Sequence, residues 1–160
     1  MAFHDIRLIA AIGKNGAMGL NNNLPWSDPD DLKWFRKNTV DDKYAIVVLG
    51  RRTYESILVN SHPNRPLPGR TLLVMSSAGH LHRTEDTVAA LPPLPVQDII
   101  HMFAKRTLWI AGGLSVYNLW MPYITRFYLS RIDYAGHADT FFPFTQMLSV
   151  FNEADTHANI

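Results

Sequence analysis

The chain has 160 residues, enough for one domain with one core, and carries 15 Lys or Arg against 14 Asp or Glu. A formal net charge of +1 with no basic stripe argues against nucleic acid as a partner. The absence of cysteine excludes disulfides, thiolate metal sites and a cysteine nucleophile.

Four Trp, six Tyr and eight Phe are available for a sizeable core. The start, Met1-Ala2-Phe3-His4-Asp5, shows no basic stretch leading into an apolar run, so no signal peptide is expected. No apolar run approaches the roughly 20 residues that span a bilayer. A soluble, cytoplasmic protein is the expectation.

In chain order, Ile6 to Ile12 is nearly all apolar and ends at Gly13, which predicts a strand buried on both faces. Lys14 to Pro25 is rich in Gly and Asn and lacks periodicity, which predicts a long loop of the kind that tends to be functional. Ser27-Asp28-Pro29-Asp30 is a helix-start signal, with Ser27 or Asp28 as cap, for a helix running to about Asn38. A strand is expected over Tyr44 to Leu49, a short helix over Arg51 to Ile57, and a Pro-rich loop over His62 to Gly69. A third strand follows over Thr71 to Met75. Leu91 to Pro95 reads as a connector to a helix near Val96 to Phe103. Then come a strand over Thr107 to Ala111, a helix over Leu114 to Trp120 and a strand over Arg126 to Ile132. The rest reads as mostly loop, with one more strand near Leu148 to Asn152. Strands alternating with helices imply an α/β fold: a single domain with a mostly parallel central sheet, helices on both faces and an antiparallel C-terminal part. Ligands on such sheets sit beyond the carboxyl ends of the strands.

Two strand–Gly–helix corners lie at such ends. At Leu49-Gly50-Arg51-Arg52-Thr53, a helix N-terminus and two Arg suit a phosphate, although an exposed basic pair on a turn reads equally well. At Ile110-Ala111-Gly112-Gly113-Leu114, the glycines admit a ligand close to the backbone, or simply make a tight turn. Neither corner is a GxGxxG or Walker loop. Both in one small domain fit a dinucleotide better than either alone. Asp31, near the start of its helix, shares a face with Phe35, with Leu32 flanking and Lys33, Arg36 and Lys37 elsewhere. Such a carboxylate would be desolvated and its pKa raised, suiting an amidine-like heterocycle. Alternatively it complements the helix dipole beside Asp28 and Asp30. His80 and His82 lack metal spacing, Pro92-Pro93-Leu94-Pro95 reads as a rigid linker, and no Ser sits in a nucleophile elbow. No metal is expected.

Leu24-Pro25-Trp26, Gly50-Arg51-Arg52-Thr53-Tyr54-Glu55-Ser56, Arg65-Pro66-Leu67-Pro68-Gly69-Arg70, Gly112-Gly113-Leu114-Ser115-Val116-Tyr117 and Asp139-Thr140-Phe141-Phe142-Pro143 occur in one order over most of the chain. In this order they resemble the signatures of the bacterial-type dihydrofolate reductases. The resemblance implies NADPH-dependent reduction of 7,8-dihydrofolate to tetrahydrofolate, in support of one-carbon metabolism and thymidylate synthesis. It also implies antifolate binding and a monomer. It gives Asp31 the pterin's amino group and ring nitrogen. Ile9, Ala10, Leu32, Phe35, Ile57, Ala111, Tyr117 and Ser130 fall on the substrate pocket, and Arg70 on the glutamate carboxylate. The loop Lys14 to Trp26 matches a mobile loop over the nicotinamide. Leu24 and Trp26 match its catalytic positions, and Asp139 a residue that holds it. For the cofactor, the matching positions are Ala11, Met18, Gly19, Asn22, Gly50, Arg51, Arg52, Thr53, Ser76, Ser77, Gly112, Gly113, Leu114, Ser115 and Val116. Arg51, Arg52, Ser76 and Ser77 match readers of the 2′-phosphate, without which the two Arg would be left unpaired. Gly112 and Gly113 match a pair joined by a cis peptide.

The sequence departs from that family in three places. Leu58 to Asn64 lengthens a loop before Arg65, and Ala78 to Lys105 is divergent. The C-terminus stops before the expected last antiparallel strand is complete. The rival readings are a related pteridine or pyrimidine reductase, which would not need Asp31 and Arg70 together, and a non-enzymatic folate or nucleotide binder.

Overall fold

The computed structural model describes residues 4–21, 24–26, 29–40, 45–60, 71–77, 88–91, 94–143 and 155–158. The seven-stranded sheet has the order β5-β4-β3-β6-β1-β7-β9, and every pairing within it is parallel. Its strands are β1 (Asp5–Ile12), β3 (Ile46–Gly50), β4 (Thr71–Met75), β5 (Val88–Leu91), β6 (Thr107–Ile110), β7 (Arg126–Arg131) and β9 (Asp155–Ala158). A separate antiparallel pair joins β2 (Ala17–Gly19) to β8 (Thr140–Phe141). The antiparallel element is therefore β8 against β2, whereas β9 runs parallel to β7.

The helices are α1 (Pro29–Val40), α2 (Arg51–Asn60), α3 (Val96–Met102) and α4 (Leu114–Trp120). On β1, Leu8, Ala10 and Ile12 pack with Val96, Ile99, Val116, Tyr117 and Trp120 of α3 and α4. Ile9 packs with Tyr54 of α2 and with Trp34 and Phe35 of α1. The sheet is thus covered on both faces, which is why β1 reads as a continuous apolar run rather than an alternating one. In α1, Pro29 opens the helix where its missing N–H costs nothing, and Asp30 and Asp31 in the first turn complement the helix dipole. Asn38 Nδ2 donates to the Trp34 carbonyl and Thr39 Oγ1 to that of Phe35, both 2.8 Å, so polar groups near its C-terminal end turn back onto the helix.

Several boundaries differ from the sequence expectation. The stretch read as a loop from Lys14 holds a 3-10 turn, Lys14–Gly16, and then β2. These elements are too short to leave a periodic signal, and they are held by contacts with residues far along the chain. Leu58 and Val59, assigned to a lengthened loop, lie instead in the last turn of α2. Leu91, assigned to a connector, ends β5. The proposed caps Ser27 and Asp28, the loop before Arg70, and the strand near Leu148 to Asn152 lie outside the described residues.

Candidate active site

The site begins where β6 is inserted between β3 and β1, bringing the carboxyl ends of three strands together. The two glycine corners are joined there. Gly50 N donates to the Gly112 carbonyl at 2.8 Å, and Ala111 N to the Val48 carbonyl at 3.0 Å. A Cβ on Gly50 would lie 3.0 Å from Val116 Cγ2, and one on Gly113 would lie 3.1 Å from Thr53 Oγ1. Gly50, Thr53, Gly112, Gly113 and Val116 therefore form one packed block in which glycine is needed for close approach. Gly112 has φ +121, a conformation side chains disfavour, and Gly112–Gly113 is a cis peptide.

Met75 lies opposite Gly50 in register, so the carboxyl end of β4, with Ser76 and Ser77, flanks the start of α2, with Arg51 and Arg52. Ser76 is buried, and Ser77, Arg51 and Arg52 are exposed. Arg51 is not left unpaired. Its Nη1 contacts Glu55 Oε1 at 2.9 Å across one helical turn, a pairing that this spacing permits without any ligand. Two exposed guanidinium groups, two seryl groups and the free N–H groups that open α2 nonetheless form a donor set suited to a phosphomonoester. Leu114 is half-buried and Ser115 exposed at the start of α4.

Asp31 is carried by α1, whose Trp34 and Phe35 pack into the cluster that holds Ile9. It is only 4% exposed, while Asp30, Lys33, Arg36 and Lys37 on the same helix are exposed. The inward face inferred for Asp31 and Phe35 is the observed one. Tyr117 is fully buried, and its Oη donates to the Ile9 carbonyl at 2.8 Å. Burial first, and then the charge of Asp31, push the Tyr117 phenol well above its ordinary value. A Cβ on Gly112 would lie 3.4 Å from Tyr117 Oη, so Tyr117 links the glycine block to β1.

Ser130 on β7 is opposite Ala11 in register and is fully buried. Its Oγ and the buried indole Nε1 of Trp26 have no hydrogen-bond partner among the described residues. A buried polar atom left so costs about 1–3 kcal/mol. Ser130 is one residue from the end of β7, and Trp26 packs beside Gly13 at the end of β1.

The structure brings Ile9, Phe35 and Ala111 together against one apolar cluster, and Ala10, Met18, Val116 and Tyr117 against the other. Leu24 is 47% exposed. The segment that carries it is tied to the chain beyond β7. Asn21 N donates to Asp139 Oδ2 and Asp139 N to the Gly19 carbonyl, both at 2.9 Å. Phe142 N donates to the Gly16 carbonyl at 2.8 Å. Leu32 and Ile57 lie on α1 and α2, without described side chains, and Asn22 and Arg70 lie outside the described residues. Sequence reasoning did not give a site role to Gly13 and Tyr134, which pack against Trp26. Lys14 N donates to the Tyr134 carbonyl at 2.7 Å, and the Tyr134 ring lies 5.6 Å from the Trp26 ring. Nothing in the spacing of these residues announces contacts made across more than a hundred positions. No group of three or more potential metal ligands occurs among the described residues, and no helix among them is long and apolar enough to cross a membrane.

Fold and site together define an α/β protein with a candidate ligand site along the carboxyl edge of a parallel sheet, marked by two fused glycine corners, and with a buried carboxylate on α1. Comparison with known proteins narrows this class. A family model described as dihydrofolate reductase matches residues 5–159. A dihydrofolate reductase of Buchnera aphidicola subsp. Schizaphis graminum is 35% identical over 138 residues, which is 86% of this chain and 78% of that protein. One from Haemophilus influenzae is 33% identical over 136 residues, covering 85% and 77%. The structure of dihydrofolate reductase from Enterococcus faecalis complexed with NADP(H) and RAB-propyl superposes with a TM-score of 0.71 at 30% identity, covering 87% of this chain and 77% of that one. The chain belongs to the dihydrofolate reductase family of NADP-dependent oxidoreductases.

Proposed function

We propose that the chain, as one domain over residues 1–160, reduces 7,8-dihydrofolate to 5,6,7,8-tetrahydrofolate with NADPH, yielding NADP+ and consuming one proton. The observation that carries this reading is the buried Asp31 in the same fold as the fused corners at Gly50 and Gly112. The NADP(H) in the Enterococcus structure supports the choice of cofactor.

Within this proposal the chain's own residues act in three ways. Asp31 accepts hydrogen bonds from the amidine-like edge of the pterin and makes its ring nitrogen easier to protonate, water delivering the proton. Ile9, Ala10, Leu32, Phe35, Ile57, Ala111, Tyr117 and Ser130 hold the pterin and benzoyl groups, and Arg70 pairs with the glutamate carboxylate. Leu24 and Trp26 exclude bulk water from the reacting centre. Arg51, Arg52, Ser76 and Ser77 hold the 2′-phosphate, with Arg51 exchanging Glu55 for it. Ala11, Met18, Gly19, Asn22, Gly50, Thr53 and the run Gly112-Gly113-Leu114-Ser115-Val116 hold the remainder of the cofactor. NADPH, when bound, supplies the hydride. Much of the rate comes from holding two reactants at reacting distance, a contribution that reaches about 7–11 kcal/mol in well-oriented systems.

In the cell this activity feeds one-carbon metabolism and thymidylate synthesis, carried out by a cytoplasmic monomer that diaminopyrimidine antifolates inhibit. The test is loss of NADPH absorbance on adding dihydrofolate, with and without such an antifolate. Inhibitable turnover is expected. A folded protein that binds the antifolate but does not turn over would make the chain a folate binder instead.

A further inference from the structure

We infer that Tyr134 is a positioning residue that fixes the Trp26 indole ring beside the carboxyl end of β1, so that its N–H, on the opposite edge of the ring, is held to meet substrate. The inference rests on the proposed reduction and on Trp26 belonging to its site.

Trp26 has a buried indole Nε1 with no partner among the described residues. An indole N–H can only donate, so its usefulness depends on where it is held. The Tyr134 ring packs on it, with centroids 5.6 Å apart and planes at 55°. Tyr134 is itself braced at both ends. Its Oη donates to the His137 carbonyl at 2.6 Å, and its backbone N donates to the Ile132 carbonyl at 2.8 Å. Its carbonyl accepts Lys14 N at 2.7 Å.

Two glycines make room for this brace. A Cβ on Gly13 would lie 2.9 Å from the Tyr134 carbonyl oxygen and 3.4 Å from Trp26 Cζ3. A Cβ on Gly136 would lie 2.6 Å from Tyr134 Oη. Gly13 directly follows β1, so the packing ties the indole to the strand that carries Ile9, Ala10 and Ala11. An exposed ion pair, Lys14 Nζ to Asp133 Oδ1 at 2.8 Å, spans the same two segments but is solvated, so the aromatic contact is the part that sets geometry.

The experiment is a double-mutant cycle on steady-state kinetics, with thermal midpoints measured alongside. Tyr134→Ala is expected to raise KM for dihydrofolate about tenfold and to leave KM for NADPH within about twofold. Tyr134→Phe keeps the ring and recovers most of that loss. In a Trp26→Phe background, which has no indole N–H to position, Tyr134→Ala costs nothing further. Equal cost in both backgrounds, or no change from Tyr134→Ala alone, overturns the positioning role. If the unsubstituted protein turns over dihydrofolate but Trp26→Phe leaves KM unchanged, the role of Trp26 fails and the inference falls with it. If the folded, unsubstituted protein shows no turnover, the functional reading itself is overturned.

Discussion

At the scale of single residues, Asp31 and Tyr117 are two buried acids, both proposed to line the substrate pocket, and Tyr117 also donates to the Ile9 carbonyl. Asp31→Asn keeps the shape but removes the charge that favours a protonated pterin. Its kcat at neutral pH is expected to fall by about 100-fold or more, the scale of a lost acid–base contribution. The loss should shrink at pH 5, where more substrate is already protonated, and a pH profile of kcat equal to that of the unsubstituted enzyme would remove Asp31 from the mechanism. Tyr117 works differently. Its folded-state pKa lies above the unfolded value of 10.0, so the folded protein keeps a proton that the unfolded chain releases. The associated stability is fully present below pH 10.0 and is lost as pH rises toward the folded value. Tyr117→Phe is expected to abolish this alkaline decline, at the cost of about 1–2 kcal/mol at neutral pH from the lost bond to the Ile9 carbonyl. Chemical denaturation at several pH values from neutral upward tests both halves, and an unchanged alkaline slope in the variant would assign the decline to other groups.

At the scale of elements, the proposed cofactor face is built where strands hand over to helices. The β6–α4 junction turns at Gly112 with φ +121, and its carbonyl receives Gly50 N from the β3–α2 junction. Gly112→Ala forces a side chain into a conformation that costs of order 1–3 kcal/mol. It should lower the thermal midpoint and raise KM for NADPH more than KM for dihydrofolate, because the block it distorts is the proposed cofactor face. Equal effects on both KM values would show that the junction serves folding alone. These junctions were legible in the sequence because glycine punctuates each strand end, and α4 falls where the pattern predicted it. The burial of Asp31 was legible for a related reason, since the helical spacing to Phe35 is local; a ligand role for it came from the family resemblance, not from the spacing. β5 was not legible: Val88-Ala89-Ala90-Leu91 is short, and alanine favours strands weakly. β8 is two residues long and exists through its pairing with β2. The register of Ser130 with Ala11 and the packing of Tyr134 on Trp26 are non-local, so no local pattern encodes them.

At the scale of the whole molecule, the sheet's stability and the site meet at β7. One edge of β7 pairs with β1, placing Ser130 beside Ala11, and the other edge pairs with β9 through Tyr128 to Arg131. The family resemblance implies an antiparallel closing strand that this chain stops short of completing, whereas β9 pairs with β7 in parallel. A parallel one needs a crossover, and the chain between Arg131 and Asp155 is long enough to make it. Without β9, the outer backbone groups of β7 would face solvent as an open edge. Deleting residues from 155 onward removes a short ladder whose bonds contribute about 1 kcal/mol each, or roughly 2–4 kcal/mol in all. At about 2–4 °C per kcal/mol for a chain of this size, the thermal midpoint should fall by several degrees to above ten. A ligand that binds only the folded state offsets such a loss by about 2.7 kcal/mol at 100 times its Kd. Saturating NADPH with an antifolate should therefore restore much of the truncated protein's midpoint while leaving kcat, measured well below that midpoint, close to that of the full chain. A truncated protein with an unchanged midpoint would show that β9 contributes no stability to β7, and one that melts lower and also loses kcat at low temperature would show that β9 holds Ser130 and the carboxyl end of β7 in working geometry.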